Sequence, residues 1–315
     1  MRGTVDQAIE SARATGAANL TLSSRRLRRL RPSMRALTLV RALDVSGNEL
    51  GALPDWLGDL TSLTELDAHA NQIAWLPDSL GALTALTRLD LRVNRVQSLP
   101  DSVRKLTALT VLDLSSNRFA ELPDWLGELR RLTALHLGLN ALTGLPDSMA
   151  DLTGIVELYL GDNPLAALPD WIGGFTRLHR LHLDHTPLTR LPDSIGNLRA
   201  LSRLDLRKSQ ISELPHTIGG LTRLTELWAH GNHLTHLPDT VGDLGKLLVL
   251  DLSGNRLTEL PDSIGDLTRL KLLNLRGNNL SRLPDSIERL VAHADVDVRD
   301  NPLTTPVPVS PRLFA

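Results

Sequence analysis

Asn48, Asn71, Asn94, Asn117, Asn140, Asn163, Asn232, Asn255, Asn278 and Asn301 lie at multiples of 23 residues from one another, and Thr186 and Ser209 fill the two missing places. A fixed period of this length marks a solenoid, in which each repeat is one supersecondary unit packed only on its neighbours. This constraint precedes any local reading, because a repeat that cannot bury its apolar face alone has to stack. It also overrides the length of 315 residues, which in an ordinary globular chain would suggest two domains.

Residues 63–85 show the unit. Leu63, Leu66, Ala68, Asn71, Ile73, Leu76, Pro77, Leu80 and Leu83 occupy its fixed sites, which recur as Leu86, Leu89, Leu91, Asn94, Val96, Leu99, Pro100, Val103 and Leu106. Twelve repeats are legible, preceded by a degenerate one at Leu20, Leu22, Leu27 and Leu30 in which Arg25 takes the place of asparagine. The period-two alternation of Leu-x-Leu predicts a strand with one buried face, and such strands stack in parallel about 4.8 Å apart. The asparagine amide both donates and accepts, so stacked copies should satisfy backbone groups left over where the chain leaves the strand; losing one costs roughly 1–3 kcal/mol. Thr186 and Ser209 offer less and mark the expected weak point. The Leu-Pro-Asp-Ser-Ile-Gly segments predict short helical or 3-10 turns, with proline at the first helical position, aspartate at the positive end of the local dipole and glycine ending the turn. A turn side bulkier than the strand side should curve the stack, with the parallel sheet on the concave face and the turns on the convex one.

A solenoid needs lids at its ends. Thr4 and Gln7 form a capping box, Val5, Ala8, Ile9 and Ala12 share one helical face, and Gly16 stops the helix. At the other end Val296 and Val298 replace leucines, Asp295, Asp297 and Asp300 make the last strand polar, and Pro306, Pro308 and Pro311 bar a further repeat. Leu313 and Phe314 are expected to fold back over the exposed end. The expected organisation is a single domain over residues 1–315. It comprises a capping helix at 1–17, a degenerate repeat at 18–39, twelve repeats at 40–303 and a cap or tail at 304–315, with no further domain attached.

The L-x-x-L-x-L-x-x-N-x-L-x-x-L-P pattern resembles the leucine-rich repeat over nearly the whole chain. Its 23-residue, cysteine-free form is similar to the class found in Ras-suppressor-type intracellular scaffolds, plant intracellular Ras-group proteins and bacterial proteins, some of them secreted effectors. The resemblance implies an α/β horseshoe whose concave strands bind a protein partner and which has no chemistry of its own. It implies a non-enzymatic scaffold or adaptor, with intracellular signalling as the setting. The alternative is the recognition subunit of a bacterial effector or ubiquitin-ligase-type enzyme whose catalytic part lies elsewhere.

A formal charge of −2 and a pI near 6.6 give no bulk electrostatic case for nucleic acid or an anionic membrane as partner. No run of about 18 apolar residues suggests a membrane span. The lack of cysteine favours a reducing compartment, hence the cytoplasm, with a secreted effector as the alternative. Two glycosylation sequons, at Asn19 and Asn279, have no secretory signal to support them. Arginine in excess of lysine, with abundant alanine, hints at a GC-rich bacterial source.

Discrimination between partners has to come from outward strand residues, since the buried ones repeat. The central outward position runs Asp44, Asp67, Asp90, Asp113, His136, Tyr159, His182, Asp205, Trp228, Asp251, Asn274, Asp297. Aspartate is lost in mid-run. There His136, Tyr159, His182 and Trp228, with Asp205 among them, make a candidate partner-binding strip flanked by Glu157, Arg180, Asp184, Arg203, Arg207, Lys208, Glu226 and His230. Aromatic rings supply large contact area at low entropic cost and dominate interface hot spots. Neutral drift on a solvated face is the plainer alternative. The aspartates at 44, 67, 90 and 113 should repel one another mildly, with Arg88 and Arg92 as compensation.

His179, His182, Asp184 and His185 crowd together in sequence, but His179 and His185 differ in orientation from the other pair, so no tetrahedral metal cage is expected. His182 and Asp205 lack a serine elbow and an oxyanion donor, so neither catalysis nor a cofactor is expected. Trp56, Trp125 and Trp171 share one outer site and read as packing between neighbouring turns of a monomer. Self-association through them is the alternative, and Trp75 stands alone on the same side.

Overall fold

Three-residue strands form at each Leu-x-Leu because only the central side chain of the strand has to face the core. The computed structural model describes residues 4–304 and the backbone of Leu313–Phe314. The chain divides into two compact units, Met1–Ile155 and Val156–Ala315.

The first unit opens with helix α1 (Val5–Thr15). The Gln7 amide donates to the Thr4 hydroxyl at 3.2 Å while the Thr4 amide donates to the Gln7 side chain at 2.7 Å, and Gly16 closes the helix at φ 62°. Ile9 and Ala12 are buried, whereas Val5 and Ala8 are only half-buried. Six strands follow: β1 (Asn19–Thr21), β2 (Ala42–Asp44), β3 (Glu65–Asp67), β4 (Arg88–Asp90), β5 (Val111–Asp113) and β6 (Ala134–His136). They pair in parallel and in order, each residue facing its counterpart one repeat on, Leu20 to Leu43, Leu43 to Leu66 and so on to Leu135. The second unit repeats the scheme with β7 (Glu157–Tyr159), β8 (Arg180–His182), β9 (Arg203–Asp205), β10 (Glu226–Trp228), β11 (Val249–Asp251), β12 (Leu272–Asn274) and β13 (Asp295–Asp297). Its last outer turn is a short helix, α2 (Ile287–Val291). The backbone of Leu313–Phe314 (β14) adds in parallel to β13, opposite Val296 and Asp297. Pro306, Pro308 and Pro311 lie outside the described residues.

The asparagines form the expected ladder and do more than satisfy their own turn. Asn94 donates to the Leu91 carbonyl of its own repeat at 2.9 Å and to the Ala68 carbonyl of the preceding repeat at 3.0 Å, while its Oδ1 accepts from the Ile73 amide at 3.0 Å. Asn71, Asn117, Asn232, Asn255 and Asn278 bond in the same way. Thr186 and Ser209 keep only the donor half. Both hydroxyls reach the Leu183 carbonyl, at 2.7 and 3.1 Å, and they contact each other at 3.2 Å. The buried Leu165 and Leu188 amides, which an asparagine would accept from, find no acceptor among the described residues.

Two features of the turns depart from the sequence reading. The prolines lie just outside the 3-10 turns in extended conformation, as Pro77 does at ψ 149°, and the aspartate is the first helical residue. Proline's missing N–H costs nothing there, and the aspartate stands in the first turn, at the positive end of the local dipole. The turn glycines are required by close approach, and do not end the turn. A Cβ on Gly242 would stand 2.6 Å from the Ser263 carbonyl of the next turn, and Gly58, Gly81, Gly173 and Gly196 are crowded in the same way. Where Arg104 stands in place of this glycine, the turns Asp101–Lys105 and Asp124–Glu128 pack less closely.

A third feature had no counterpart in the sequence reading. The residue before each ladder position is left-handed. It is glycine at Gly47, Gly231, Gly254 and Gly277, but Ser24, Ala70, Val93, Ser116, Leu139, Asp162, His185, Lys208 and Asp300 elsewhere. This conformation costs an L-residue roughly 1–2 kcal/mol and turns the side chain outward, which explains why Val93 and Leu139 are exposed apolar residues.

Thr186→Asn combined with Ser209→Asn should restore both missing acceptors and stabilise the fold by about 1–3 kcal/mol in urea unfolding. Gly242→Ala should destabilise it by about 1–3 kcal/mol through the clash with Ser263, measured in the same way.

Candidate partner-binding surface

Each aspartate of the central outward row has a structural task. Asp44, Asp67, Asp90, Asp113, Asp205, Asp251 and Asp297 each accept the amide of the residue two positions on, at 3.0 to 3.3 Å. Ser46, Ser253, Arg207 and Arg299 add a side-chain donor to the same carboxylate. The row is therefore a series of strand-end caps, whose bonds oppose the expected mutual repulsion without cancelling it at Asp90. The signal was present in Leu-Asp-Leu followed by serine or arginine. It was missed because the capping geometry appears only once the strand ends.

His136, Tyr159, His182 and Trp228 have given up that cap. In the second unit three of them sit half-buried in a connected polar network. The Tyr159 and His182 rings stack at 4.3 Å between centroids, tilted by 52°. His182 Nδ1 lies 3.7 Å from Asp205, which is fully buried and accepts from Arg207 Nε at 2.7 Å. The Trp228 indole donates to Glu226 at 2.9 Å, and Arg203 pairs with Glu226 at 3.0 Å while lying 5.7 Å from the centre of the Trp228 ring. Arg180 pairs with Glu157. His230 lies 3.3 Å from Asp251, a neighbour the sequence reading left out of the site. Lys208 occupies a left-handed turn position, away from the strand rows. In the first unit, His136 lies 3.3 Å from Asp113.

Burial lowers the pKa of His182 more than the Asp205 charge raises it, so its ring is neutral at pH 7 and offers a stacking surface. Burial, then the Glu157 charge, raises that of Tyr159. The hydrogen bond to Asp205 raises that of Arg207.

Three side-chain groups bring potential metal-ligand atoms within 4.8 Å of one another: Asp67, His69 and Asp90; Asp162, Asp184 and His185; and His182, Asp184 and Asp205. His179 instead turns to the Arg177 carbonyl at 2.8 Å, so the four residues crowded in sequence are not gathered together. Arg207 and Arg203 already neutralise Asp205, and Arg88 and Arg92 lie 3.6 and 3.5 Å from Asp90. On the outer side the Trp125 indole donates to Asp101 of the preceding turn at 2.9 Å, and Trp171 packs on Phe175 at 5.5 Å; Trp75 is exposed. Among the described residues no helix is long and apolar enough to cross a membrane.

Stacked strands with a capped, invariant frame and one variable outward row define a repeat solenoid of the interaction-module class. Family models described as leucine-rich repeat region, leucine rich repeat and leucine rich repeats in two copies match residues 166–247, 230–280 and 84–127. A leucine-rich repeat protein of Leptospira interrogans is similar over 96% of this chain and 94% of its own, at 28% identity and a TM-score of 0.70. The leucine-rich repeat ectodomain of the Arabidopsis thaliana membrane receptor kinase GASSHO1/SCHENGEN3, solved in complex with CASPARIAN STRIP INTEGRITY FACTOR 2, is 30% identical with a TM-score of 0.74. That similarity covers 90% of this chain but only 39% of the plant protein. An internalin from Listeria monocytogenes, 20% identical over 95% of this chain and 89% of its own, shares the fold with a TM-score of 0.83. None of the curated proteins matches the chain. The chain belongs to the leucine-rich repeat family. Proteins of this family are generally non-enzymatic interaction modules, and the fold suggests the same role here.

The two buried aspartates of the first unit should titrate apart. Burial, together with the Asp113 and Asp67 charges, raises Asp90 above the usual 3.8 despite the Arg92 amide. Burial also opposes ionisation of Asp113, but hydrogen bonds from His136 and Ser115 outweigh it and hold Asp113 below 3.8. Asp113 therefore contributes stability that is present above pH 3.8 and lost as pH falls through its depressed folded value. Protonation of Asp90 adds stability as pH falls through its raised value. Carboxyl-carbon NMR titration checks the order, and His136→Ala should raise the Asp113 midpoint.

Proposed function

We propose that the chain is a non-enzymatic scaffold or adaptor that holds one protein partner against its outward strand face, with Tyr159, His182 and Trp228 as the centre of contact. The observation that carries this is the exchange at the central row. A position whose aspartate caps the strand elsewhere has lost that cap at three places in the second unit, and the replacing rings are held by a network of Glu157, Arg180, Arg203, Asp205, Arg207 and Glu226. Drift would discard the cap without building a framework around its replacement. Rings held in advance lose little entropy on binding, which favours them as interface anchors. Asp184 and His230 extend the proposed contact on the side towards the turn, and His136 offers a further ring in the first unit. The Arabidopsis ectodomain is solved with a bound factor, which supports a polypeptide ligand here as well.

The protein acts as a monomer in this proposal, since Trp125 and Trp171 are engaged within its own turns. A cysteine-free chain suits the cytoplasm, where a signalling role would fit. The test is affinity capture from the native host. Tyr159→Ala with Trp228→Ala should weaken capture by about 2 kcal/mol or more, roughly thirtyfold, while the melting midpoint stays nearly unchanged. Loss of the partner through Trp56→Ala on the outer side, with the strand-face variant still binding, would reject the site.

A further inference from the structure

Residues 11–43 contain eight arginines and no aspartate or glutamate, in a chain whose formal charge is −2. The remainder of the chain is correspondingly acidic. Five of these arginines, Arg26, Arg28, Arg29, Arg31 and Arg35, lie on the stretch that leads from β1 through the 3-10 turn Pro32–Ala36, and all five are exposed. The stretch buries Leu30 and Met34 at its apolar positions, which directs the intervening guanidinium groups outward. Arg26 is held at φ 56° and is, among the described residues, the one left-handed non-glycine residue that does not precede a ladder position.

Three carboxylates fringe the patch. Glu49 lies 3.2 Å from Arg28, Asp6 3.6 Å from Arg31 and Asp59 2.6 Å from Arg35, yet these arginine side chains remain 86%, 55% and 68% exposed. Exposed pairs of this kind hold their partners weakly and exchange them readily. Among the described residues, Arg26 and Arg29 have no carboxylate within ion-pair distance.

We propose that this patch docks a short acidic peptide segment of another protein, independently of the strand-face residues of the second unit. Guanidinium groups bind carboxylates in a two-pronged geometry that lysine cannot offer, and arginine alone makes up the patch. Its width selects the partner. The basic stretch is one repeat wide, and the next repeat places Glu49, Asp55 and Asp59 along its border, followed by the exposed Asp78 one turn further on. Duplex DNA carries one charge per about 1.7 Å of axis and would run from the arginines onto these aspartates, as would a flat anionic membrane. A segment with a few clustered carboxylates ends before it reaches them.

A fluorescein-labelled deca-glutamate peptide, titrated with the full chain and followed by anisotropy, tests this. Binding should weaken steeply with salt. Arg26→Glu with Arg29→Glu should weaken it at least tenfold at low salt, and the milder Arg26→Gln with Arg29→Gln should give a smaller loss in the same direction. Arg95→Glu with Arg118→Glu, at exposed arginines of later repeats, should leave it within twofold. Circular dichroism melts identify any variant that fails to fold, in which case the glutamine pair decides. Failure of the peptide to bind, equal losses in the patch and control variants, or tighter binding of a DNA duplex or of phosphatidylserine vesicles at the same salt would each overturn the proposal. Tyr159→Ala with Trp228→Ala should leave peptide binding intact, so failure of the patch and failure of the strand-face site can be told apart.

Discussion

A side-chain amide that bonds backward into the preceding repeat sets the geometry on which everything else rests. Burial of leucines favours stacking, but hydrophobic contact is non-directional and would tolerate a slip of the stack. Asn94 does not tolerate one, because its three bonds join the Leu91 carbonyl of its own repeat to the Ala68 carbonyl and Ile73 amide of the one before. Moving one repeat against the next breaks two of the three and leaves buried polar groups unpaired. The ladder therefore converts a sticky stack into one with a defined pitch, and each strand residue faces its equivalent one repeat on. The site at Thr186 and Ser209 shows the reverse, since the hydroxyls retain the donor half and leave two buried amides without an acceptor among the described residues.

Fixed register is what gives the outward row meaning. Because Asp90 stands opposite Asp113, and Asp205 opposite Trp228, a substitution at one central position is felt by its neighbours on both sides. At most positions the row is spent on capping strand ends. The first unit shows the electrostatic consequence: Asp90, buried among carboxylates, resists ionisation, whereas Asp113 has His136 and Ser115 and does not. The second unit replaces caps with rings and answers the loss with ion pairs and an indole hydrogen bond. Asp205, fully buried, is the pivot of that arrangement, joined to Arg207 directly and close to Arg203 and His182.

Much of this was legible beforehand, and the failures share a cause. The helix at 5–15 could be placed because Thr4, Gln7 and Gly16 act on their own local backbone. The strands and the ladder could be placed because a period repeats the same evidence many times. The turn glycines were misread as helix endings, since the contact that demands them is with Ser263 or Ser102 on the following turn, more than twenty residues away. The left-handed residues were not seen at all. Glycine betrays them at Gly47, Gly231, Gly254 and Gly277, but Val93 and Leu139 carry the same backbone with side chains that argue against it. The stack over-determines that conformation, and no local propensity reports it.

The sequence by itself determined the repeat, its strand, its buried spine and the outward row on which recognition would act, because each follows from periodicity and side-chain polarity along the chain. Only the tertiary structure decided what the outward residues do. Asp44, Asp67 and Asp251 became caps, Tyr159 stacked on His182, and Arg203 was shared between Glu226 and the Trp228 ring. The reason is that the caps form only where a strand ends, between an aspartate and the residue two positions on, while the ring stack and the shared arginine need distances between neighbouring repeats that exist only in register.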